Sequence, residues 1–205
     1  MKYDQLATEE SIKKVTAALT ENGFEPMVVK TKEEALKKIK ELIPAGVSVM
    51  NGTSRTLEEI GFKEYLKSEE HGWNNLHAAI VAEKDPIKQS KLRKESSISD
   101  YYLGSVHALT ETGEMVIASN TGSQLPHLVF TSPNIILVIG TQKITPTISD
   151  AFKRLEDHVI PLEDERMKQV YGVGTMHSKT LILHKESPMM KRKVYVVLVK
   201  ENLGF

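Results

Sequence analysis

Five consecutive apolar residues, Ile135-Ile136-Leu137-Val138-Ile139, restrict what this chain can fold into more than any other feature. A strand sends alternate side chains to opposite faces, so a run without a polar position must be covered on both sides, as in a parallel sheet between helices. The run is far too short to cross a bilayer. Beyond it, Ile148, Ala151, Phe152 and Leu155 recur at i, i+3, i+4 and i+7, so the strand feeds an amphipathic helix. Upstream the order is the same. Ile12, Val15 and Leu19 predict a helix stopping at Asn22-Gly23, and Met27 to Val29 a short strand. Thr31-Lys32-Glu33-Glu34 then forms a capping box before a second helix that Pro44 and Gly46 close.

Val47 to Met50 read as a buried strand, Asn51 to Ser54 as its exit loop, and Leu57, Ile60, Tyr65 and Leu66 as helical turns broken at Gly61. Residues 67–100 are charged and weakly patterned, with a surface helix expected after Pro86. Ser105 to Thr110 and Met115 to Ala118 flank Glu111-Thr112-Gly113-Glu114, a hairpin turn in which Gly113 supplies positive φ. Leu181 to Leu183 and Val194 to Val199 end the chain as strands. Alternating strands and helices predict an α/β fold: a mostly parallel sheet covered on both faces, with an antiparallel element from the hairpin. At 205 residues the expectation is a single domain spanning 1–205.

Composition narrows the chemistry. With no cysteine the chain has no thiol nucleophile, thiolate zinc site or cysteine-ligated iron–sulfur cluster. Lys+Arg and Asp+Glu are 27 each, and neither half is basic, so nucleic acid is an unexpected partner. The start, MKYDQLATEE, is acidic and has no apolar run, which points to a cytoplasmic protein without a membrane span. None of the seven histidines lies four residues from another, so no helical metal site is expected. Gly172 to Thr180 fails the Walker pattern, having His177 and Ser178 where Gly-Lys belongs, and lacks the third glycine of the dinucleotide fingerprint.

Four segments carry candidate chemistry. Asn51-Gly52-Thr53-Ser54-Arg55-Thr56 joins a strand to a helix at the sheet edge where α/β proteins bind ligands. The hydroxyls of Thr53, Ser54 and Thr56 beside Gly52 suit phosphate or carboxylate. They equally suit helix capping by Ser54 or Thr56. Glu111, at a strand end, is a candidate nucleophile or base, or a solvated turn residue. The loop from Ser119 to His127 is dense in hydrogen-bonding groups and either offers Asn120, Gly122 and Gln124 to a ligand or packs on itself. Lys143, in Gly140-Thr141-Gln142-Lys143, leaves the apolar strand; if that strand and the one before Thr53 are parallel it reaches the same edge and can neutralise an anion there, and otherwise it is an ordinary surface-loop lysine.

Asn51 to Gly61, Ala108 to Gly113 (ALTETG), Ile139 to Ile144 (IGTQKI) and the ending Val196 to Phe205 together resemble the lactate utilisation (LUD) domain family over nearly the whole chain. The block Thr53-Ser54-Arg55-Thr56-Leu57-Glu58-Glu59-Ile60-Gly61 is the most specific part. The resemblance implies a three-layer α/β/α sandwich similar to ribose phosphate isomerase, glucosamine phosphate deaminase and CoA transferases. It implies that Gly52, Thr53, Ser54 and Thr56 line a phosphate or acyl pocket, and that Glu111, two residues before glycine, corresponds to a CoA transferase nucleophile. Its functional implication is an accessory subunit of lactate or small organic acid utilisation that binds a small anionic metabolite. The expected partners are other subunits of that system or a second copy of the chain, and no cofactor is implied. The alternative is an enzyme using Glu111 on a CoA thioester or a sugar phosphate.

Overall fold

A computed structural model describes residues 3–205; Met1 and Lys2, at the acidic start, lie outside them. The chain runs α1 (Glu9–Glu21), β1 (Glu25–Val29), α2 (Lys32–Leu42), β2 (Ser48–Asn51), α3 (Arg55–Glu59), α4 (Phe62–Lys67), β3 (Asn74–Asn75), α5 (Leu76–Ala82), α6 (Pro86–Glu95) and β4 (Tyr101–Gly104). It continues as β5 (Ala108–Thr110), β6 (Met115–Ser119), β7 (Asn134–Gly140), β8 (Ile144–Thr145), α7 (Ile148–Arg154), α8 (Ile160–Tyr171), β9 (Lys179–Leu183) and β10 (Lys193–Val199). Leu155–Val159 is a π-helical turn that carries α7 directly into α8.

The central sheet has the order β1-β10-β7-β4-β2-β3, and every pairing in it is parallel. The apolar run is at its heart as β7, hydrogen-bonded to β10 on one side and β4 on the other. Its side chains divide between two cores. Ile136 and Val138 pack with Ala35 and Ile39 of α2 and with Leu57, Ile60, Phe62 and Trp73. Ile135, Leu137 and Ile139 pack on the opposite face with Val15 and Leu19 of α1 and with Leu109, Met115 and Ile117. A parallel central sheet flanked by helices, arranged as a three-layer α/β/α sandwich, is the fold that the strand–helix alternation predicts.

The hairpin belongs elsewhere than in the central sheet. Strands β5 and β6 pair antiparallel in a second, four-stranded sheet of order β8-β5-β6-β9. Its inner face joins the second core, and its outer face, with Ala108 and Val116, packs on Ala151, Leu155 and Val159. Two central elements have weak sequence signals. Strand β4 is only four residues, all buried, and follows a polar stretch. In residues 67–100, Trp73 is anchored by its indole N–H to the Ile43 carbonyl (3.3 Å) and stacks on Phe62, which fixes the entry to β3 and α5.

Helix α6 is the expected surface helix; none of its residues is buried. Truncating Leu137, fully buried in β7, to alanine should cost about 2–5 kcal/mol in urea denaturation. Ile87→Ala, on the exposed face of α6, should stay within about 0.5 kcal/mol.

Candidate functional site

Strands β2 and β4 are parallel neighbours whose continuations diverge. The chain leaves β2 for the β3 edge and leaves β4 for the second sheet, so a crevice opens above their carboxyl ends. Here lies a cleft of about 530 Å³, within the range of small-molecule sites. Its floor is Asn51 to Thr56, Gly104 to His107 and Lys143. Its walls come from α5, α6, the loop after β6, and α8 with residues 175–177, and Phe205 closes one end. Gly52 is required by space: a Cβ there would lie 2.8 Å from the Tyr102 hydroxyl.

Lys143 is 3% exposed, yet no carboxylate of the described residues pairs with it. Its ammonium donates to Thr56 Oγ1 (2.9 Å), Ser105 Oγ (3.2 Å) and the Val106 carbonyl (3.2 Å). Burial, with the Arg154 guanidinium behind it, pushes Lys143 down to about 7 against the weaker pull of Glu59. Gly204, at φ +64°, lies over this group: a Cβ would meet Thr56 Oγ1 and approach Lys143 Nζ to 3.2 Å. Arg154 is fully buried, donates to the His107 carbonyl at 2.5 Å, and leaves Nε and one terminal nitrogen without partners.

His107, half-buried, accepts the Ala118 backbone N–H on Nδ1 (3.0 Å). A neutral ring so bonded carries its proton on Nε2, as a donor. Burial first, then Lys143 and Arg154, push His107 down to about 3, so the ring is neutral. Tyr102, its phenol pushed up by burial, stacks at 4.5 Å on His127, which bonds Ser99 and Ser132 and is pushed down to about 4. Around the rim, Arg55 bridges Glu58 and Glu59, and Arg166 grips Glu163 through two 2.7 Å bonds. Glu163 is the one side-chain carboxylate among the described lining residues and is held by Arg166, so the charged side chains there without an ion-pair partner are the cations Lys143 and Arg93.

The expected site residues divide. Gly52, Thr53, Ser54, Thr56, Asn120, Gln124 and Lys143 all line the cleft. Ser54 is the helix cap, accepting Leu57 N–H at 3.3 Å, while Thr56 is buried against Lys143 and Leu203. Gln124 fixes the β6 loop through the Ala118 carbonyl (3.1 Å). Gly122 turns that loop at φ +83° without lining the cleft.

Glu111 is not at the cleft. Strand β5 runs from His107 at the cleft to Glu111 beyond its far end, a span of about 13 Å. There Glu111 accepts from Lys14 (2.7 Å) and Ser11 (2.8 Å) on α1, which hold its carboxyl below the ordinary range. The turn docks on the end of α1 because Asn22 donates to the Thr112 carbonyl (3.0 Å). It therefore lies apart from the carboxyl edge of the central sheet. Ser105, His107, Tyr102 and Arg93 are cleft residues that the sequence did not announce; Ser105 would follow from recognising β4 as a strand.

Together these features define a three-layer α/β/α protein with a cation-floored cleft at the carboxyl edge of its parallel sheet. The chain belongs to the LUD domain family, whose model matches residues 12–199. That membership supports a role related to lactate utilisation. The crystal structure of a DUF162 family protein from Deinococcus radiodurans is similar in fold, with a TM-score of 0.52 and 12% identity. The similarity covers 95% of this chain and 99% of that one. No curated protein matches the chain. No helix among the described residues is long and apolar enough to cross a membrane, and no group of three or more metal-ligating side chains occurs among them.

His107 and His127 are held neutral in the fold, whereas the unfolded chain protonates them near 6.5. Their contribution to stability is therefore complete above pH 6.5 and is lost as the pH falls toward 4 and 3. Denaturation at stepped pH should show stability falling from 6.5 to about 4.5, before most carboxylates titrate. His107→Gln should flatten that slope.

Proposed function

We propose that the cleft binds a small organic acid anion of the lactate type, and that the protein serves as an accessory subunit in oxidising or channelling that acid. The observation that carries this reading is Lys143, a buried cation with neutral hydrogen-bond partners and no ion-pair carboxylate. A buried charge without an opposite charge is costly, and an anion entering the cleft relieves that cost. Thr53, Ser54, Thr56, Asn120 and Gln124 supply the polar surround, Gly52 leaves room for the Tyr102 hydroxyl beside the floor, and Gly122 shapes the loop that carries Asn120 and Gln124. The absence of cysteine supports an accessory part, because the chain cannot itself ligate an iron–sulfur cluster through thiolates.

The reading that makes Glu111 a nucleophile or base has no comparable support. Both carboxylate oxygens are engaged by α1, away from the cleft.

Calorimetric titration with sodium L-lactate, sodium pyruvate and inorganic phosphate tests the proposal. At least one should bind, and Lys143→Met should weaken it at least about tenfold. Because the anion needs the protonated amine, the wild-type affinity should fall as pH rises past about 7. Absence of binding by all three, or equal binding by the variant, would remove the proposal.

A further inference from the structure

The three partners of Lys143 differ in what they can return to it. The Val106 carbonyl can only accept, whereas Thr56 and Ser105 are hydroxyls. An ammonium donates to all three. Once the amine is neutral it keeps two N–H bonds and a lone pair, so one hydroxyl must turn and donate to it. Thr56 is 1% exposed and has its own acceptor in the Leu203 carbonyl (3.4 Å). Ser105 is half-buried and lines the cleft, and its other acceptor, the Val106 carbonyl, already receives a Lys143 N–H. The pair left facing the open cleft is Ser105 Oγ and Lys143 Nζ, 3.2 Å apart.

Its surroundings suit acyl chemistry. Ser105 and His107 flank the buried Val106 in the link from β4 to β5, and both line the cleft. His107 carries its proton on Nε2, with Nδ1 engaged by Ala118, which makes it a neutral donor for a developing oxyanion. A nucleophile and a base within hydrogen-bond reach, with a third group to receive negative charge, is the arrangement that acyl transfer needs.

We propose that Ser105 and Lys143 form a nucleophile–base pair that hydrolyses an activated acyl derivative, a thioester or ester, of the small acid bound in the cleft. The inference rests on the reading that this cleft receives such an acid. As the bond from Ser105 Oγ to the acyl carbon forms, the hydroxyl proton passes to Lys143 Nζ. The carbonyl oxygen takes up the electron pair against His107 Nε2–H. When the bond to the leaving group breaks, Lys143 returns the proton to that thiol or alcohol. Water then attacks the acyl-serine, giving its proton to Lys143, and the departing Ser105 Oγ takes it back. The balance is acyl derivative plus water to carboxylate, one proton, and the thiol or alcohol. The product is the anion that the protonated Lys143 attracts.

The charged and titratable groups facing Lys143 are Glu59 from α3, Arg154 from α7, His158 from the π-helical turn, and His107. Burial pushes Lys143 down to about 7, so the acylation rate should rise through that pH and level off above it.

The test is to mix the full chain with p-nitrophenyl acetate, follow p-nitrophenolate release, and map the acetyl group by peptide mass spectrometry. The expected result is a burst with acetate on Ser105, a rate rising through pH 7, and labelling of the same serine by a fluorophosphonate. Lys143→Met and Lys143→Arg should slow acylation about 100-fold or more, the latter because it cannot accept the proton. Ser105→Ala should abolish the adduct. If that variant fails to fold, the position of the fluorophosphonate adduct in the wild-type chain decides instead. An unlabelled Ser105, acetate on Lys143, or an unchanged rate in both lysine variants would overturn the proposal. Wild-type binding of L-lactate, pyruvate or phosphate alongside an unlabelled Ser105 would end the acyl proposal alone, whereas an unlabelled Ser105 with no binding of any of the three would end the cleft reading as well.

Discussion

The ammonium of Lys143 joins parts of the chain that are far apart in sequence. Through Thr56 it reaches α3, through Ser105 and Val106 the link between the two sheets, and Gly204 of the C-terminal segment packs over it. The lysine leaves the most buried strand by one tight turn, so its position is set by β7, which is paired on both sides. The floor of the cleft is thus anchored to a strand held by hydrogen bonds on both sides. Burying an ammonium without a carboxylate is unfavourable. The fold accepts that cost at the floor of the β2–β4 crevice.

Topology explains why the cleft exists, and local chemistry explains its polarity. Adjacent parallel strands with diverging exits leave a crevice whatever residues line it. What makes this one positive is subtraction as much as addition. Arg55 and Arg166 are engaged by glutamates of their own helices, and Glu163 is neutralised by Arg166, so Lys143 and Arg93 dominate. The overall charge of zero carries no information about this; the field is local.

The parallel α/β architecture was legible because its signal is strong: an apolar run covered on both faces leaves little alternative, and the helical faces repeat at the correct period. The cleft's first loop and Lys143 were legible for the same reason, since both follow such strands. The distance of Glu111 from the cleft was not legible, because periodicity identifies a hairpin without saying which sheet it joins. Only the docking of the turn on Ser11, Lys14 and Asn22 separates it from the cleft. Ser105 and His107 were hidden with β4, whose four residues are too few for a pattern and which is a strand because β2 and β7 flank it. His107 also needs the Ala118 contact, which joins residues across a hairpin, to define which nitrogen holds the proton.

Burial holds Lys143 near neutrality, and both proposed roles, attraction of an acid anion by the charged form and acceptance of a hydroxyl proton by the neutral one, depend on that protonation. Nuclear magnetic resonance of the protein labelled at the lysine side-chain nitrogen and its neighbouring carbon, with Lys143→Met to assign the signal, measures this directly. The account predicts a titration near 7 that moves upward when sodium L-lactate is added. A lysine titrating at its ordinary value near 10.5 and indifferent to lactate would contradict it.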